Sequence, residues 1–477
     1  MSRWLPSPYV LFAVVVGVLL STVSAVRGPI DADFYWHVTA GRLMVESGSV
    51  PSNDPFSFTW LGQPWTPHEW LGEVLLFLST SALGLGLTGA LFGLLSAGGP
   101  LLAGAAMIRR GVSNRAVMLA VAPAVVVLLP YTTMRPQIFT WLLLGGLLAA
   151  LVLLRPEHRL RVWLIPAAFL LWANLHGMYV IGLGVLAAHV AFTLAGRTSM
   201  APRRWTMLGV LAVSLLATMA TPAGPVGLLY PLRYVEPGDW GLQHIVEWQP
   251  PRIDDVRNVG LALVILSVLL TRLRSADGWL KLTAVLGMAG ALVAVRNAPL
   301  VAVTAIPGLA CGWGTLLRPR RQPFPVRTAR VRRWIEVVVA AVLVVAIALI
   351  VPGIRGLSGA VAVPQQFPVA GTDALAQRSP DANVLTEYGW GGYLIYRLHD
   401  LGGHVFVDGR NDMYDQRILD DYLRIRSADP AWKQLADQYG VEAILLPPSA
   451  PVIAAATSAG WCQAYADGVA TLLLRSC

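Results

Sequence analysis

The chain has 477 residues, of which 55% are hydrophobic and only 13% are charged, against about 25% charged residues in a typical soluble domain. With a mean hydropathy of +0.59, this composition excludes an ordinary soluble protein and predicts an integral membrane protein. The formal charge of +9 does not indicate nucleic-acid binding, because the basic residues lie in short loops between apolar runs, where membrane orientation requires them.

About eleven apolar runs are candidates for transmembrane helices, since a helix needs about 20 residues to cross a hydrocarbon core roughly 30 Å thick. The predicted spans are 8–26, 84–108, 115–131, 138–154, 162–175, 178–195, 206–222, 258–271, 279–295, 298–316 and 335–352. The first run resembles a signal peptide, but its apolar part is long for one, so we interpret it as an anchor. The segment Trp70 to Leu83 is predicted to be an interfacial helix before the second span, or an extension of that span.

Lysine and arginine concentrate in alternate loops, and this bias predicts the orientation. The rich loops lie at residues 109–115, 155–161, 197–204, 272–281 and 318–333. Such loops stay in the cytoplasm, and the N-terminus is predicted to lie there too. Two long loops of the opposite side, residues 27–83 and 223–257, carry most of the acidic residues and are predicted to face outward.

The composition becomes mixed after Pro352. We therefore predict a transmembrane domain over residues 1–352 and a small extracytoplasmic α/β domain over residues 353–477. Short strands are predicted at Val384 to Thr386, Val405 to Val407, Ala443 to Leu446 and Ala470 to Leu474, with helices at 413–426 and 430–439. Cys462 and Cys477 both fall in this domain, and an oxidising compartment would allow them to form a disulfide.

The first outer loop opens with Asp31-Ala32-Asp33-Phe34-Tyr35-Trp36-His37, a few residues after the first span. A carboxylate held at a membrane surface can act as a general base, because partial desolvation raises its pKa. We take Asp31 and Asp33 as candidate catalytic residues. The alternative is that one or both of them cap the helix that follows.

Further along the same loop, prolines and capping residues predict short helices joined by turns. His68 and Glu69 add two titratable groups, and Trp65 and Trp70 have aromatic rings suited to the headgroup region. The alternative interpretation is a helix N-terminus with interfacial tryptophan anchors.

Three shorter outer turns carry polar groups at membrane ends, namely Arg135, His176 beside Asn174, and Arg296. An arginine there can bind a phosphate through charge-assisted hydrogen bonds. The alternative is that the side chain of each arginine simply extends towards the lipid headgroups. The second long loop contains His244 to Pro250, which is either a lid or acceptor-binding segment, or a surface helix on the bilayer.

An acidic motif directly after the first span, a long first outer loop, about eleven spans and an outer C-terminal domain resemble the GT-C superfamily of membrane glycosyltransferases. The pattern is most similar to bacterial relatives of protein O-mannosyltransferases and lipid A aminoarabinose transferases. The resemblance covers the architecture of most of the chain and one short catalytic motif. It implies a polytopic α-helical, GT-C-like protein in the plasma (inner) membrane of a bacterium.

The resemblance also implies transfer of a sugar, with inversion, from a polyprenyl-phosphate donor to a glycan, lipid or protein acceptor at the outer face. Asp31 or Asp33 stands where the family places its base. The implied substrate-binding residues are Trp36, His37, Trp65, His68, Glu69, Arg135, His176 and Arg296. No cofactor is expected. No essential metal is expected either, because the loop between the third and fourth spans lacks the carboxylate that completes the oligosaccharyltransferase metal site, although the Asp31-Ala32-Asp33 motif leaves that open.

The stretch from Glu387 to Tyr393, followed by Val407 to Asp412, resembles the outer domain of bacterial members of this group. Gly389, Gly391 and Gly392 would either let backbone amides approach a ligand at a helix start or allow tight packing, which we favour. Asp408 and Arg410 are close enough in sequence to form an ion pair.

Two other functions fit parts of the pattern. A transporter or flippase of lipid-linked glycans would need ionisable groups or broken helices near the middle of the membrane, and few charges fall inside the predicted spans. A non-catalytic scaffold in envelope assembly would use the outer domain as a binding module.

Overall fold

The computed structural model describes residues 7–155, 157, 160–198, 202–230, 240–317 and 366–476. The chain divides into two compact units. The first unit comprises Met1–Arg27, Leu83–Pro231 and Ile245–Ala360, and the second comprises Gly28–Ala82, Leu232–His244 and Val361–Cys477. The domain boundary predicted between residues 352 and 353 lies outside the described residues.

The first unit is built from apolar helices. They are Pro8–Arg27, the part of Trp70–Arg109 from Leu83 onward, Asn114–Tyr131, Gln137–Leu153, Leu164–Leu175, Tyr179–Leu194, Arg204–Ala217, Val226–Leu229, Val259–Thr271, Gly278–Val293, Ala298–Thr304 and Ile306–Leu316. Short 3-10 helices occur at Arg161–Trp163, Val246–Trp248, Val256–Asn258 and Val295–Asn297. A helix is present at each of the first ten predicted spans, and the eleventh, 335–352, lies outside the described residues.

Three of the described helices are long and apolar enough to cross a membrane, namely Pro8–Arg27, Trp70–Arg109 and Asn114–Tyr131. A fourth candidate is the pair Val295–Thr304 and Ile306–Leu316, which is bent by 53°. The other apolar helices have 10–17 residues, which corresponds to about 15–26 Å of rise. Many of their leucines and valines are exposed, including Leu216, Leu269 and Val293 at 62–69%, and contiguous apolar exposure of this kind suits a lipid environment.

The helix Trp70–Arg109 contains one non-helical residue, Gly84, with φ 74° and ψ 168°. Glycine tolerates this conformation because it has no Cβ. The break falls at the residue where the sequence analysis began the second span, after the predicted interfacial segment from Trp70 to Leu83.

The second unit contains a five-stranded mixed sheet. Its strands are β1 (Asn383–Thr386), β2 (His404–Val405), β3 (Ala443–Leu446), β4 (Cys462–Ala466) and β5 (Thr471–Leu474). The order is β2-β1-β3-β5-β4, with β2, β1 and β3 parallel and β5 antiparallel to both β3 and β4. The helices of this unit are Phe34–Ser47, the part of Trp70–Arg109 up to Ala82, Trp240–His244, Val369–Arg378, Gly391–Leu398, Gln416–Arg426, Trp432–Tyr439 and Pro451–Ser458, with 3-10 turns at Tyr388–Trp390 and His399–Leu401.

The four predicted strands are present, and β4 was not predicted. The side chains of β4 are half-buried or exposed, as on a sheet edge, so its sequence lacks the apolar run that marks a buried strand. Cys462 in this strand is disulfide-bonded and Cys311 is free. Cys477, the predicted partner of Cys462, lies outside the described residues.

The loop after the first helix packs within the second unit against the sheet and its helices. Ser57 forms a parallel bridge with Val405 of β2, and the Phe58 amide donates to the Val405 carbonyl at 3.1 Å. Arg42 forms two hydrogen bonds of 2.7 Å with the Asp400 carboxylate. The ring of Tyr35 packs edge-on against the ring of Tyr393. Residues 28–82 therefore belong structurally with the C-terminal domain.

Candidate functional site

Asp31 and Asp33 have different local roles at the start of helix Phe34–Ser47. The Asp31 carboxylate accepts a hydrogen bond of 3.0 Å from the Asp33 amide and so closes the turn before the helix. Asp33 occupies the N-cap position, but its side chain makes no capping bond. Instead its Oδ1 accepts a hydrogen bond of 3.1 Å from the Trp36 indole. The Asp31 carboxylate thus fixes the turn before the helix, and no side-chain capping bond from Asp33 is present.

The Asp33 carboxylate lies against the loop after β2. A methyl group added at Gly409 would overlap Asp33 Oδ1, so the glycine is what allows the carboxylate to approach the backbone. Asp412 of the same loop is close enough to Asp33 and Glu69 for their charges to affect its pKa. Burial raises the pKa of the Asp412 carboxyl, and the charges of Glu69 and Asp33 raise it further, while His68 lowers it.

His37, Glu69 and Glu73 form a tight cluster one helical turn beyond Asp33. His37 Nδ1 lies 3.1 Å from Glu73 Oε1, and its Nε2 lies 3.7 Å from Glu69 Oε2. His37 and Glu73 are 2% and 1% exposed. One possible ligand atom from each residue lies within 4.8 Å of the other two, so the group has the dimensions of a metal site.

The backbone packing of two helices sets this geometry. A methyl group at Gly41 would overlap the carbonyl oxygen of Glu73, so helices Phe34–Ser47 and Trp70–Arg109 are in backbone contact at this point. Gly41 lies one turn after His37, and Glu69 lies one turn before Glu73, so the crossing brings the three side chains together.

His68 extends the cluster towards the surface of the unit. Its Nε2 lies 3.4 Å from Glu69 Oε1. Burial alone would lower the pKa of His68, but the hydrogen bond and charge of Glu69 raise it to about 9. At neutral pH His68 therefore carries a positive charge beside the Glu69 carboxylate.

A buried ion-pair network lies next to these residues. Arg410 is 2% exposed and donates to both oxygens of Asp408, at 2.8 and 2.6 Å, and to Asp54 Oδ1 at 2.8 Å. The predicted pairing of Asp408 with Arg410 is present. The guanidinium also lies 4.6 Å from the ring centre of Trp65, so the network holds loop residues and the C-terminal domain together within the second unit.

The two tryptophans predicted to bind substrate are buried within the second unit. Trp36 is 7% and Trp65 is 5% exposed. Trp36 packs on the His37 ring at a centroid distance of 3.7 Å, and Trp65 packs on Phe56 and Arg410. A role in substrate binding stays a prediction for both.

The predicted phosphate contacts lie in the first unit. Arg135 forms an ion pair of 3.6 Å with Glu247, and the Arg296 guanidinium stacks 4.0 Å above the Trp248 ring. Partial removal from water would raise the pKa of the Glu247 carboxyl, but Arg135 and Arg296 lower it. The two arginines therefore converge on one short segment of the second long loop.

His176, the third predicted phosphate contact, is buried in the same unit. Its Nδ1 lies 2.9 Å from the Thr140 hydroxyl, which also accepts a hydrogen bond of 2.8 Å from the Trp172 indole. The Met178 amide lies 3.2 Å from the same nitrogen. These contacts link His176 to the helix ends around it, and phosphate binding by it stays a prediction.

The structure brings together Asp33, His37, His68 and Glu69 from the predicted set, and it adds Glu73, which the sequence analysis missed. The available signal was the spacing of Glu69 and Glu73, which places both carboxylates on one helix face. Asp54 and Asp412 were also missed, because isolated acidic residues in loops are usually exposed.

The sequence matches no protein-family model, and no curated protein matches it significantly. Solved structures are similar in fold. The archaeal oligosaccharyltransferase AglB from Archaeoglobus fulgidus, whose structure contains an inhibitory peptide and a dolichol-phosphate, matches with a TM-score of 0.59 and 12% identity over 93% of this chain and 70% of AglB.

Two further structures give the same result. ArnT from Cupriavidus metallidurans in the apo state matches with a TM-score of 0.53 and 14% identity over 98% of both chains. The arabinofuranosyltransferase AftD from mycobacteria matches with a TM-score of 0.53 and 16% identity over 100% of this chain and 40% of AftD. The chain therefore has the fold of the GT-C membrane glycosyltransferases, as the sequence resemblance predicted.

Proposed function

We propose that the chain transfers a sugar from a polyprenyl-phosphate donor to an acceptor hydroxyl at the extracytoplasmic membrane face, with Asp33 as the general base. The observation that supports this most is the position of the Asp33 carboxylate, which follows the first helix in the sequence, accepts the Trp36 indole and lies against Gly409. The similarity in fold to membrane glycosyltransferases adds support, and so does the dolichol-phosphate bound to AglB.

In the proposed reaction, Asp33 takes the proton from the acceptor hydroxyl as the hydroxyl oxygen attacks the anomeric carbon. The bond between that carbon and the phosphate oxygen breaks, and the lipid phosphate leaves with the electron pair. Attack from the face opposite the phosphate inverts the anomeric configuration. Asp31 is the weaker candidate for the base, because its Oδ1 is held by a backbone amide, that of Asp33, whereas the Asp33 Oδ1 accepts the side-chain indole of Trp36.

Arg135 and Arg296 are the proposed phosphate ligands. Both are permanently charged and present several donors for bidentate contacts with phosphate oxygens. Arg135 is paired with Glu247 at 3.6 Å. A lipid phosphate that bound Arg135 would therefore compete with this carboxylate, and the segment Val246–Trp248 would respond to donor binding.

We further propose that the chain crosses the membrane about eleven times, with a cytoplasmic N-terminus and an extracytoplasmic C-terminal domain. The loop distribution of lysine and arginine supports this orientation. The helices of 10–17 residues would contribute spans that are completed by the turns at their ends or by local thinning of the bilayer.

The test is sugar transfer in membrane vesicles that contain the full chain, native acceptor and radiolabelled polyprenyl-phosphate sugars. Asp33→Asn should lower the transfer rate by about 100-fold or more, as loss of a general base does, and Asp31→Asn should lower it less. Asp420→Asn, at an exposed position of helix Gln416–Arg426, is the matched control and should retain the wild-type rate. Undiminished transfer by Asp31→Asn, Asp33→Asn and the double variant would exclude the proposed base.

A further inference from the structure

The cluster of His37, Glu69 and Glu73 lies beside the proposed base, and the proposed reaction does not use it. We propose that these three residues bind a divalent transition-metal ion, with Zn²⁺ as the preferred ion. One imidazole nitrogen and one oxygen from each carboxylate would be the protein ligands. The remaining coordination positions would be open to water or to an oxygen ligand.

The first argument is the ligand geometry. The three candidate ligand atoms lie within 4.8 Å of one another. Zinc bound at about 2.1 Å to nitrogen and oxygen ligands holds neighbouring ligand atoms roughly 3.4 Å apart in a tetrahedron. The 3.1 Å contact with Glu73 and the 3.7 Å contact with Glu69 involve different nitrogens of the His37 ring. An ion bound to one nitrogen would therefore require the carboxylate on the other side to turn towards it, and Glu69, the most exposed ligand at 13%, is the side chain that would turn.

The second argument comes from Glu73 Oε2. This oxygen is buried and has no hydrogen-bond partner among the described residues, although Oε1 of the same carboxylate contacts His37. A buried polar atom without a partner destabilises the fold, and more so if it is charged. A proton on Oε1 could be donated to His37 Nδ1 at 3.1 Å, but Oε2 would still have no partner among the described residues. A cation bound in the cluster would give Oε2 an electrostatic partner.

The third argument concerns the His37 ring. Both of its nitrogens face carboxylate oxygens. In a neutral imidazole only one nitrogen carries a proton, and the other has a lone pair that can bind a metal ion. A metal ion at that nitrogen would also place a positive charge beside the two carboxylates.

The choice of ion follows from the ligand types. Imidazole together with carboxylate suits Zn²⁺ and related first-row ions, whereas Mg²⁺ prefers a shell of oxygen atoms and keeps much of its water. This set also lies wholly within the first outer loop and its flanking helices. The absence of a carboxylate between the third and fourth predicted spans therefore does not argue against this site.

The experiment measures metal binding directly, so its outcome does not depend on the proposed sugar transfer. The full chain is purified in detergent with a tag that binds no metal, treated with chelator and equilibrated with Zn²⁺, Mn²⁺ or Mg²⁺. Bound metal is then counted by mass spectrometry, and the affinity is measured by competition with a zinc-sensitive dye. We expect about one tightly bound Zn²⁺ per chain, weaker Mn²⁺ binding and no retained Mg²⁺.

The variants assign the ion to this cluster. Glu73→Gln, Glu69→Gln and His37→Gln should each weaken Zn²⁺ binding by about 100-fold or more, since loss of even a supporting residue around a metal costs 10–100-fold. Glu46→Gln, at an exposed position on the same helix as His37, should bind Zn²⁺ as the wild type does. Glu69→Gln keeps the test decisive if the more buried variants misfold. Absence of zinc in the wild-type chain, or unchanged affinity in folded Glu69→Gln, would overturn the assignment.

Discussion

Replacement of Arg410 should destabilise the second unit more than almost any other single substitution there. The Arg410→Met variant keeps much of the side-chain volume but removes the charge-assisted hydrogen bonds to Asp408 and Asp54. Both carboxylates are fully buried, so each would lose its counter-charge without gaining water. Breaking a buried ion pair in this way costs about 3–5 kcal/mol.

Part of this loss is offset at Asp54, because its carboxylate also accepts the amides of Phe56 and Ser57 at 3.1 Å. Asp408 keeps the Tyr414 hydroxyl at 2.8 Å. We therefore expect a cost near the lower end of the range. For a unit of this size each kcal/mol shifts the unfolding midpoint by about 2–4 °C, which predicts a fall of roughly 6–12 °C.

The assay is thermal unfolding of the full chain in detergent, read by protease sensitivity of a C-terminal epitope. Arg410→Lys should fall between the wild type and Arg410→Met, because one ammonium cannot reproduce the planar fork that reaches both carboxylates. Adding Asp54→Asn to Arg410→Met should recover stability, since it removes one uncompensated charge. A midpoint within 2 °C of the wild type for Arg410→Met, or a double variant less stable than either parent, would refute the reasoning.

Three other predictions concern packing, donor binding and orientation. Gly391→Ala should lower the unfolding midpoint, because its methyl group would lie 2.5 Å from a backbone oxygen, and overpacking of this kind costs about 1–3 kcal/mol. Gly389→Ala is the control and should be neutral, since the space around Gly389 is open. Equal effects of the two substitutions would contradict the packing interpretation. Arg135→Gln should weaken binding of polyprenyl phosphate about tenfold or more, while Arg252→Gln, at an exposed position of the second long loop, should bind normally. Equal affinities would exclude Arg135 as a phosphate ligand. Alkaline phosphatase fused to the C-terminus should be active and the same enzyme inserted after Gly196 inactive, and the reverse pattern would invert the proposed topology.

The helices were the most predictable part of the fold, because an apolar run can be recognised from the local sequence alone. The predicted run 115–131 corresponds to helix Asn114–Tyr131, for example. The run 298–316 is different, because the structure divides it at Ala305 with a bend of 53°. Pro307 stands at the start of the second segment, and its ring and missing N–H oppose a continuous helix.

The site was only partly predictable. His37 and Glu69 were identified as polar groups in an outer loop, but their convergence with Glu73 depends on the crossing of two helices at Gly41. Such a crossing has no local sequence signal. The burial of Arg410 was equally hidden, because a charged residue between glycine and asparagine reads as exposed loop. Its partner Asp54 lies 356 residues away, beyond the reach of any local pattern.

The pairing of Ser57 with Val405 and of Thr59 with Phe406 has a consequence for biogenesis. The second unit is assembled from stretches far apart in the sequence, and the Thr59 contact joins residues 347 positions apart. During synthesis the backbone of the first stretch stays partly unpaired until the ribosome has translated the second. Contacts so distant in sequence form slowly, so we expect chaperones to bind the unpaired first stretch during synthesis. A C-terminal fragment made without that stretch would have an exposed strand edge that favours aggregation.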